Sequence, residues 1–312
     1  MKQIVSRGHT RPLTEISFVE DGEDKTLLVS SAHDKTPQIR NGETGDWIGT
    51  FHGHKGAVWS AKVDSLTRTL AATASGDFSS KLWCVTTGKE LHEFKHKHVV
   101  KSVDFTSNTL KIATGCQDGL LRIFDTCQPT SPPQEIKIIS NVADGIMKVA
   151  WLPESQDIIL VCKKTSIIEK WDLRQSQENG PIQSYNVNTG SSVMDMELTL
   201  RHNLLLGASA NKVVALSLDT LQQVKEYSMP SPLSFNQEGG VSLHTDGTKF
   251  YTGGSDLWLR EFDFQSGELL RTFKGHHGPI RCVRFHPRSN LCASGSEDGT
   301  IRLWDLGYST EA

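Results

Sequence analysis

The sequence contains no apolar run of about 18 residues, so no segment reads as a membrane-spanning helix. Its opening stretch, MKQIVSRGHTRPLTEISF, lacks the apolar core of a secretory signal. Neither sign of charge dominates: 33 Lys and Arg stand against 36 Asp and Glu, a net charge of −3. That balance gives no electrostatic reason to expect a nucleic acid or an anionic membrane as partner. Cysteine is sparse and scattered. The six (Cys84, Cys116, Cys127, Cys162, Cys282 and Cys292) form no C-x-x-C pair, so a disulfide framework and a zinc site both lack the spacing they need. Buried thiols in a reducing compartment are the expectation, with cytosol or nucleus as the address. Also absent are a Gly-rich phosphate loop, H-E-x-x-H and G-x-S-x-G. No cofactor, no metal and no catalytic residue is therefore expected.

What is present is a repeat. GHHGPIRCVRF (275–285) places His276 nine residues before Phe285, and the same offset joins His9 to Phe18, His54 to Val63 and His96 to Phe105. A second motif follows in SSAHDKTPQIR, TASGDFSSKLW, TGCQDGLLRIF, TGGSDLWLREF and SGSEDGTIRLW. In all five an Asp (34, 77, 118, 256, 298) stands six residues before the last position (40, 83, 124, 262, 304). Where units adjoin, the end positions are 43, 41 and 42 residues apart. The 138 residues from Phe124 to Phe262 hold three units of about 46, two weaker ones ending near Trp171 and Ser217. Seven units of about 40–45 residues have the period of propeller blades.

Each unit carries four short runs rich in β-branched and aromatic residues, bounded by Gly, Asp, Ser or Pro. The expected fold is all-β, one domain over 1–312, a seven-bladed β-propeller. In TIRLWD, Ile301 and Leu303 should face one neighbour and Trp304 the other. The stretch KQIVSRGH matches LRTFKGH, the run that precedes a unit's Gly-His. Residues of about 2–6 are thus expected to supply the outer strand of the last blade and close the ring without a bare edge.

His276, Ser294, Asp298 and Trp304 fit a buried polar chain running from indole to hydroxyl to imidazole to carboxylate, and His54, Thr73, Asp77 and Trp83 repeat it. Units one and three keep the His, the hydroxyl and the Asp but end in Arg40 and Phe124, while units four to six have lost much of the set. A catalytic Ser-His-Asp set would occur once and would not exchange Ser for Thr, so these tetrads read as structural. The pairs His52/His54 and His96/His98 have strand spacing for a metal, but no carboxylate or thiolate cluster accompanies them. Propeller enzymes rest on charged residues converging at the channel, and the sequence singles out no such set.

Positions that structure does not require are the better candidates for function. Five residues after each tetrad His, the innermost strand begins at the rim of one face: Thr14, Trp59, Lys101 and Arg281, with Met147 the equivalent in unit four. His33, Gln117, Ser255 and Glu297, just before the turn Asp, fall near the same rim. Trp, Met and Arg are residue types that anchor interfaces, so this rim is the candidate partner-binding surface.

With Trp-Asp pairs at 171–172 and 304–305, the chain resembles a WD-repeat protein. ETGDWIGTFHGHKGAVW (43–59), HKHVVKSVDFT (96–106) and GPIRCVRFHP…ASGSEDGTIRLW extend the likeness to the serine/threonine kinase receptor-associated proteins. That resemblance implies a non-enzymatic adaptor associated with the SMN complex in spliceosomal snRNP assembly, hence with mRNA splicing, with a kinase-receptor role in animals. It implies protein partners, SMN-complex subunits or Sm-fold proteins. The rival resemblance is to the i subunit of translation initiation factor 3, which shares GHTRPLTEISF and the final GHHGPI…ASGSEDGTIRLW and implies initiation-factor subunits instead. Direct nucleic-acid binding would rest on a local cluster such as Lys95, Lys97 and Lys101, and composition disfavours it.

Overall fold

The computed structural model describes residues 3–21, 25–138, 144–175, 179–236 and 239–307. Seven four-stranded antiparallel sheets follow one another around a ring. Blade one runs Leu13–Asp21, Lys25–Ala32, Gln38–Asn41 and Trp47–Thr50, from the innermost strand outward, and blade two repeats this with Val58–Val63, Leu70–Ser75, Ser79–Cys84 and Glu90–Lys95. The two weak units form full blades as well, blade four on Ile146–Trp151 and blade five on Val193–Thr199. Among the described residues there is no α-helix, and no helix is long and apolar enough to cross a membrane.

The apolar core is divided among the seams. Each hydrophobic cluster joins two neighbouring blades, as Val29, Ile39 and Phe51 of blade one do with Ala61, Val63 and Trp83 of blade two. Trp304 packs toward blade six, whereas Ile301 and Leu303 pack toward blade one, as the alternation in IRLW requires. Second strands such as LAATAS and LCASGS are built from small residues because a neighbour covers both faces. Gly115 shows how close that cover is: a Cβ there would lie 2.6 Å from Ile146 of the next blade. Outer strands meet water and read polar, as in ELHEFK, where only Phe94 turns inward.

Closure follows the expectation. Gln3–Ser6 pairs antiparallel with the third strand of blade seven, Gln3 opposite Trp304 and Ser6 opposite Ile301. Ser6 Oγ also donates to Gly45 O of blade one at 2.9 Å. Arg40, standing where other blades have Trp, is buried and donates to Arg7 O (2.8 Å) and Gly45 O (3.2 Å), which fastens the N-terminal segment to blade one. Residue 2, included in the expected strand, lies outside the described residues.

Both full tetrads form. Trp304 Nε1 donates to Ser294 Oγ (2.8 Å), that hydroxyl to His276 Nε2 (2.8 Å), and His276 Nδ1 to Asp298 Oδ2 (3.0 Å). In blade two the same bonds measure 2.9, 2.6 and 2.8 Å through Trp83, Thr73, His54 and Asp77. Indole can only donate and carboxylate only accept, so the direction of every proton is fixed. Ser294 is wholly buried and its oxygen already accepts from the Trp304 indole, so the hydroxyl is closed off from solvent on all sides. Blade one keeps the His9, Ser30 and Asp34 links at 2.8 Å each. Blade three departs from the expectation. His96 reaches Thr114 (2.9 Å), but its Nδ1 turns to Phe94 O (3.0 Å) because Arg122 has drawn Asp118 away at 2.9 Å.

Candidate functional site

Six innermost strands carry a β-bulge at one register, and the bulged residues are Thr14, Trp59, Lys101, Met147, Met194 and Arg281. A bulge re-aims the side chain it releases from the ladder. All the innermost-strand rim positions read from the sequence are therefore bulge residues. Met194 belongs to the same set and was not among the positions read from the sequence. In blade six the ladder starts at Gly240 opposite Gly253, and Gly239 leaves the matching rim position without a side chain.

The rim residues separate into two groups. The Lys101 ammonium lies 3.0 Å from the centre of the Trp59 ring, and His33 packs edge-on against that ring at 4.9 Å. Arg281 Nε donates to Glu297 at 3.0 Å. Burial, then Lys148, Arg281 and Lys164, bring the Lys101 amine down to about 8. Burial, then Arg281 and Lys101, lower His33 as well. Blades one, two, three and seven thus present a cationic and aromatic arc. At the same register in blades four and five stand half-buried Met147 and Met194, which carry no charge, and Met194 packs against the apolar seam of blades five and six.

Two candidates serve the frame. Thr14 Oγ1 lies 2.7 Å from both Ser31 Oγ and Val58 O, joining blade one to blade two. Ser255 Oγ donates to Pro232 O (3.0 Å) and accepts from Ser234 N–H (3.0 Å), which fixes the Pro/Ser connection of 228–235. Gln117 is half-buried, and its N–H donates to Val99 O at 2.9 Å. Trp258 sits between Lys274 (4.3 Å) and Arg260 (5.3 Å), and Trp47 is exposed on the outer strand of blade one.

Below the rim the channel holds what sequence reasoning did not find, a set of converging titratable groups. A cavity of about 500 Å³ is lined by Glu15, Lys62, Asp104, Lys148, Glu197 and Arg284. Glu15 pairs with Lys148 (3.2 Å) and Lys62 (3.4 Å), and Arg284 grips both oxygens of Asp195 at 2.5 and 2.7 Å. Burial alone would raise Glu15, but Lys148 and Lys62 hold it down at about 2. Asp104 and Glu197 have no cation within ion-pair distance among the described residues, and burial pushes them up to about 6 and about 7.

These groups tie blade to blade. Asp104 accepts Trp151 N–H (2.8 Å) across the seam of blades three and four; Asp195 and Glu197 accept Val241 N–H (3.1 Å) and Leu243 N–H (2.9 Å) across that of five and six. Ser60, Ser102 and Ser242 accept in the same way from Val103 (3.4 Å), Val149 (3.1 Å) and Phe285 (2.7 Å). Asp104, Asp195 and Glu197 are therefore structural acceptors with backbone partners, whereas Glu15 is held by its two lysines. As for metals, His54 and His96 are committed to their hydroxyls. Among the described residues no three His, Cys, Asp or Glu come together to hold an ion.

Comparison with known proteins matches residues 45–84, 88–125 and 267–305 to the model of the WD domain, G-beta repeat. The chain is 38% identical over 96% of its length to the serine-threonine kinase receptor-associated protein of Dictyostelium discoideum, covering 98% of that relative. It is 41% identical over 95% of its length to the Homo sapiens protein of the same name, covering 80% of it. Similarity to eukaryotic translation initiation factor 3 subunit I of Caenorhabditis elegans is lower, 28% over 98% of the chain and 97% of the relative.

Proposed function

Because this chain belongs to the family of serine-threonine kinase receptor-associated proteins, WD-repeat propellers, we propose that it is a non-catalytic scaffold that seats a protein partner on its bulged rim. The single observation that carries the rim is the contiguous set Trp59, Lys101, His33, Arg281 and Glu297. An aromatic face, two cations and one carboxylate gather there on residues the propeller does not need for closure. Such a surface is preformed, so little ordering entropy is lost on the propeller's side when a partner docks. Support for a machine comes from the family likeness, which favours SMN-complex subunits or Sm-fold proteins in snRNP assembly. In the channel, Asp104, Asp195 and Glu197 accept from the neighbouring blade and Glu15 pairs with two lysines, which supports a structural role for these carboxyls.

The test is affinity purification of the tagged protein from its own cells, wild type against Trp59→Ala with Arg281→Ala. Sm proteins and SMN-complex subunits are expected with the wild type, and at least about a tenfold loss with the folded double variant. Initiation-factor subunits in the eluate would hand the chain to the rival machine. Undiminished recovery by the variant would remove the rim as the site.

A further inference from the structure

Four blades carry a buried cation at one register of the third strand: Lys81, Arg122, Arg260 and Arg302, opposite Thr73, Thr114, Thr252 and Ser294 of the second strand. Three of them have a carboxylate. Lys81 meets Glu90 at 2.7 Å and Glu93 at 3.6 Å, Arg122 meets Glu135 at 2.7 Å and Asp118 at 2.9 Å, and Arg260 pairs with Asp256. Arg302 has none. It is only 8% exposed, its Nε has no hydrogen-bond partner, and no ion pair reaches it among the described residues.

The cause is the way the ring closes. In blades two and three the outer strand sets Glu93 and Glu135 opposite the cation; in blade seven the N-terminal strand sets Val5 there. The turn carboxylate cannot substitute. Asp298 Oδ2 accepts from His276 (3.0 Å) and His277 N–H (2.9 Å), and Oδ1 from Thr300 N–H (2.8 Å) and Oγ1 (2.6 Å). On one flank of the guanidinium, Arg302 Nη1 and Gln3 Nε2 each lie 2.6 Å from where a Gly275 side chain would begin, and Gln3 Nε2 also has no acceptor. Arg302 also borders a pocket of about 300 Å³ whose wall includes Val5, Arg7, His277, Thr300 and the already occupied Asp298.

We propose that this pocket is an anion site for a phosphate monoester, carried on a phosphorylated side chain of a protein partner. Two guanidinium groups and an imidazole line one pocket, where the outer strand lacks the carboxylate that blades two and three set opposite the cation and the one carboxylate left, Asp298, already has four donors. A monoester brings nearly two charges and three terminal oxygens, which suits paired planar donors better than a single carboxylate does. A nucleic-acid strand is the less suited source, because the whole chain carries −3 and repels a long polyanion. The site lies on the third and outer strands of blade seven and is independent of the rim proposed above.

The experiment titrates a neutral serine-phosphorylated peptide and its unphosphorylated twin into the full chain by calorimetry, with inorganic phosphate as competitor. Only the phosphorylated peptide should bind, and phosphate should displace it. Val5→Glu restores the carboxylate that blades two and three have, on a strand residue 41% exposed. It should weaken the peptide at least about tenfold while leaving the melting temperature equal or higher. Arg7→Gln, an exposed change, should weaken it by a smaller factor. Equal binding of both peptides, or wild-type affinity in the Val5→Glu chain, would overturn the proposal. So would an Arg302-dependent site that takes single-stranded RNA while inorganic phosphate fails to compete.

Discussion

Blades two and five occupy equivalent places in the ring and have the same four strands, yet they are locked by opposite means. Blade two runs a polar chain through His54, Thr73 and Trp83. Blade five has Thr189, Gly207 and Leu216 at those positions, and every residue of its second strand, Leu204–Ser209, is buried. Its polar bonds have moved elsewhere: Thr189 reaches Ser209 at 2.5 Å, and Asp195 and Glu197 staple the inner wall to blade six. Blade four stands between the two, keeping Trp171 but donating its indole to Glu169 at 2.9 Å. A polar chain survives only as a set, since losing one member strands its neighbours in the dry interior. Once broken, it is most cheaply replaced by apolar packing, which is what blade five shows. Weak repeat motifs here therefore mark a change of lock; the blade itself is intact.

The comparison breaks most severely if closure is removed. Deleting residues 1–7 takes away the outer strand of blade seven, the Ser6–Gly45 bond and the Arg7 carbonyl that holds Arg40. The cost should exceed that of any single tetrad change, more than about 4 kcal/mol, with blades one and seven losing amide protection first. An unchanged unfolding midpoint in urea would refute closure by this strand.

Reciprocal swaps sharpen it at the next scale. Thr73→Val leaves His54 Nε2 and Trp83 Nε1 unpaired and should cost about 2–4 kcal/mol. The matched change in blade four, Val161→Thr, sets a hydroxyl opposite Glu169, whose carboxylate already takes the Trp171 indole, and should cost less, about 1–2 kcal/mol. Equal losses in equilibrium unfolding would mean that the polar chain has no energetic identity of its own.

The smallest effect separates the carboxyls of the two locks by pH. Burial alone would raise Asp34, but His9 and the backbone N–H groups of Thr10 and Thr36 hold it at about 2, so its contribution is present above about pH 4 and is lost as pH falls toward 2. Asp104 and Glu197 behave oppositely. Raised to about 6 and about 7 from ordinary values of 3.8 and 4.5, they bind protons in the folded state that the unfolded chain has released. Stability should therefore decline as pH rises from about 4.5 to 7. Asp104→Asn with Glu197→Gln should flatten that decline by on the order of 1–3 kcal/mol, measured by urea unfolding at pH values across the window. A slope identical to wild type would show that both carboxyls stay ionised in the fold.

Much of this architecture was legible in the sequence, and the limit has a physical form. The blade period, the tetrads, the closing strand and the rim register all depend on residues within one unit or on its repetition. What stayed hidden depends on distance across the ring. Lys148 meets Glu15 from 133 positions away and Arg284 meets Asp195 from 89, so no local spacing announces the channel. The blade-three rearrangement was hidden for a different reason. Asp118 has both His96 and Arg122 within its reach, and only the geometry of the outer strand, with Glu135 beside Arg122, decides between them. The hydroxyls of Thr14 and Ser255, read from the sequence as rim candidates, are used within the frame, which residue type alone does not disclose.

The pairing of Gln3–Ser6 with Ile301–Trp304 also sets a timetable. Of the ring's strands, the one made first is the last to find its place, because its partner is made some 300 residues later. At about 5–20 residues per second it waits roughly 15–60 seconds. Six blades can assemble in that interval, but the ring cannot shut. A nascent chain interrupted before the final repeat would keep an open end on each side, so closure acts as a check that all seven blades have been made.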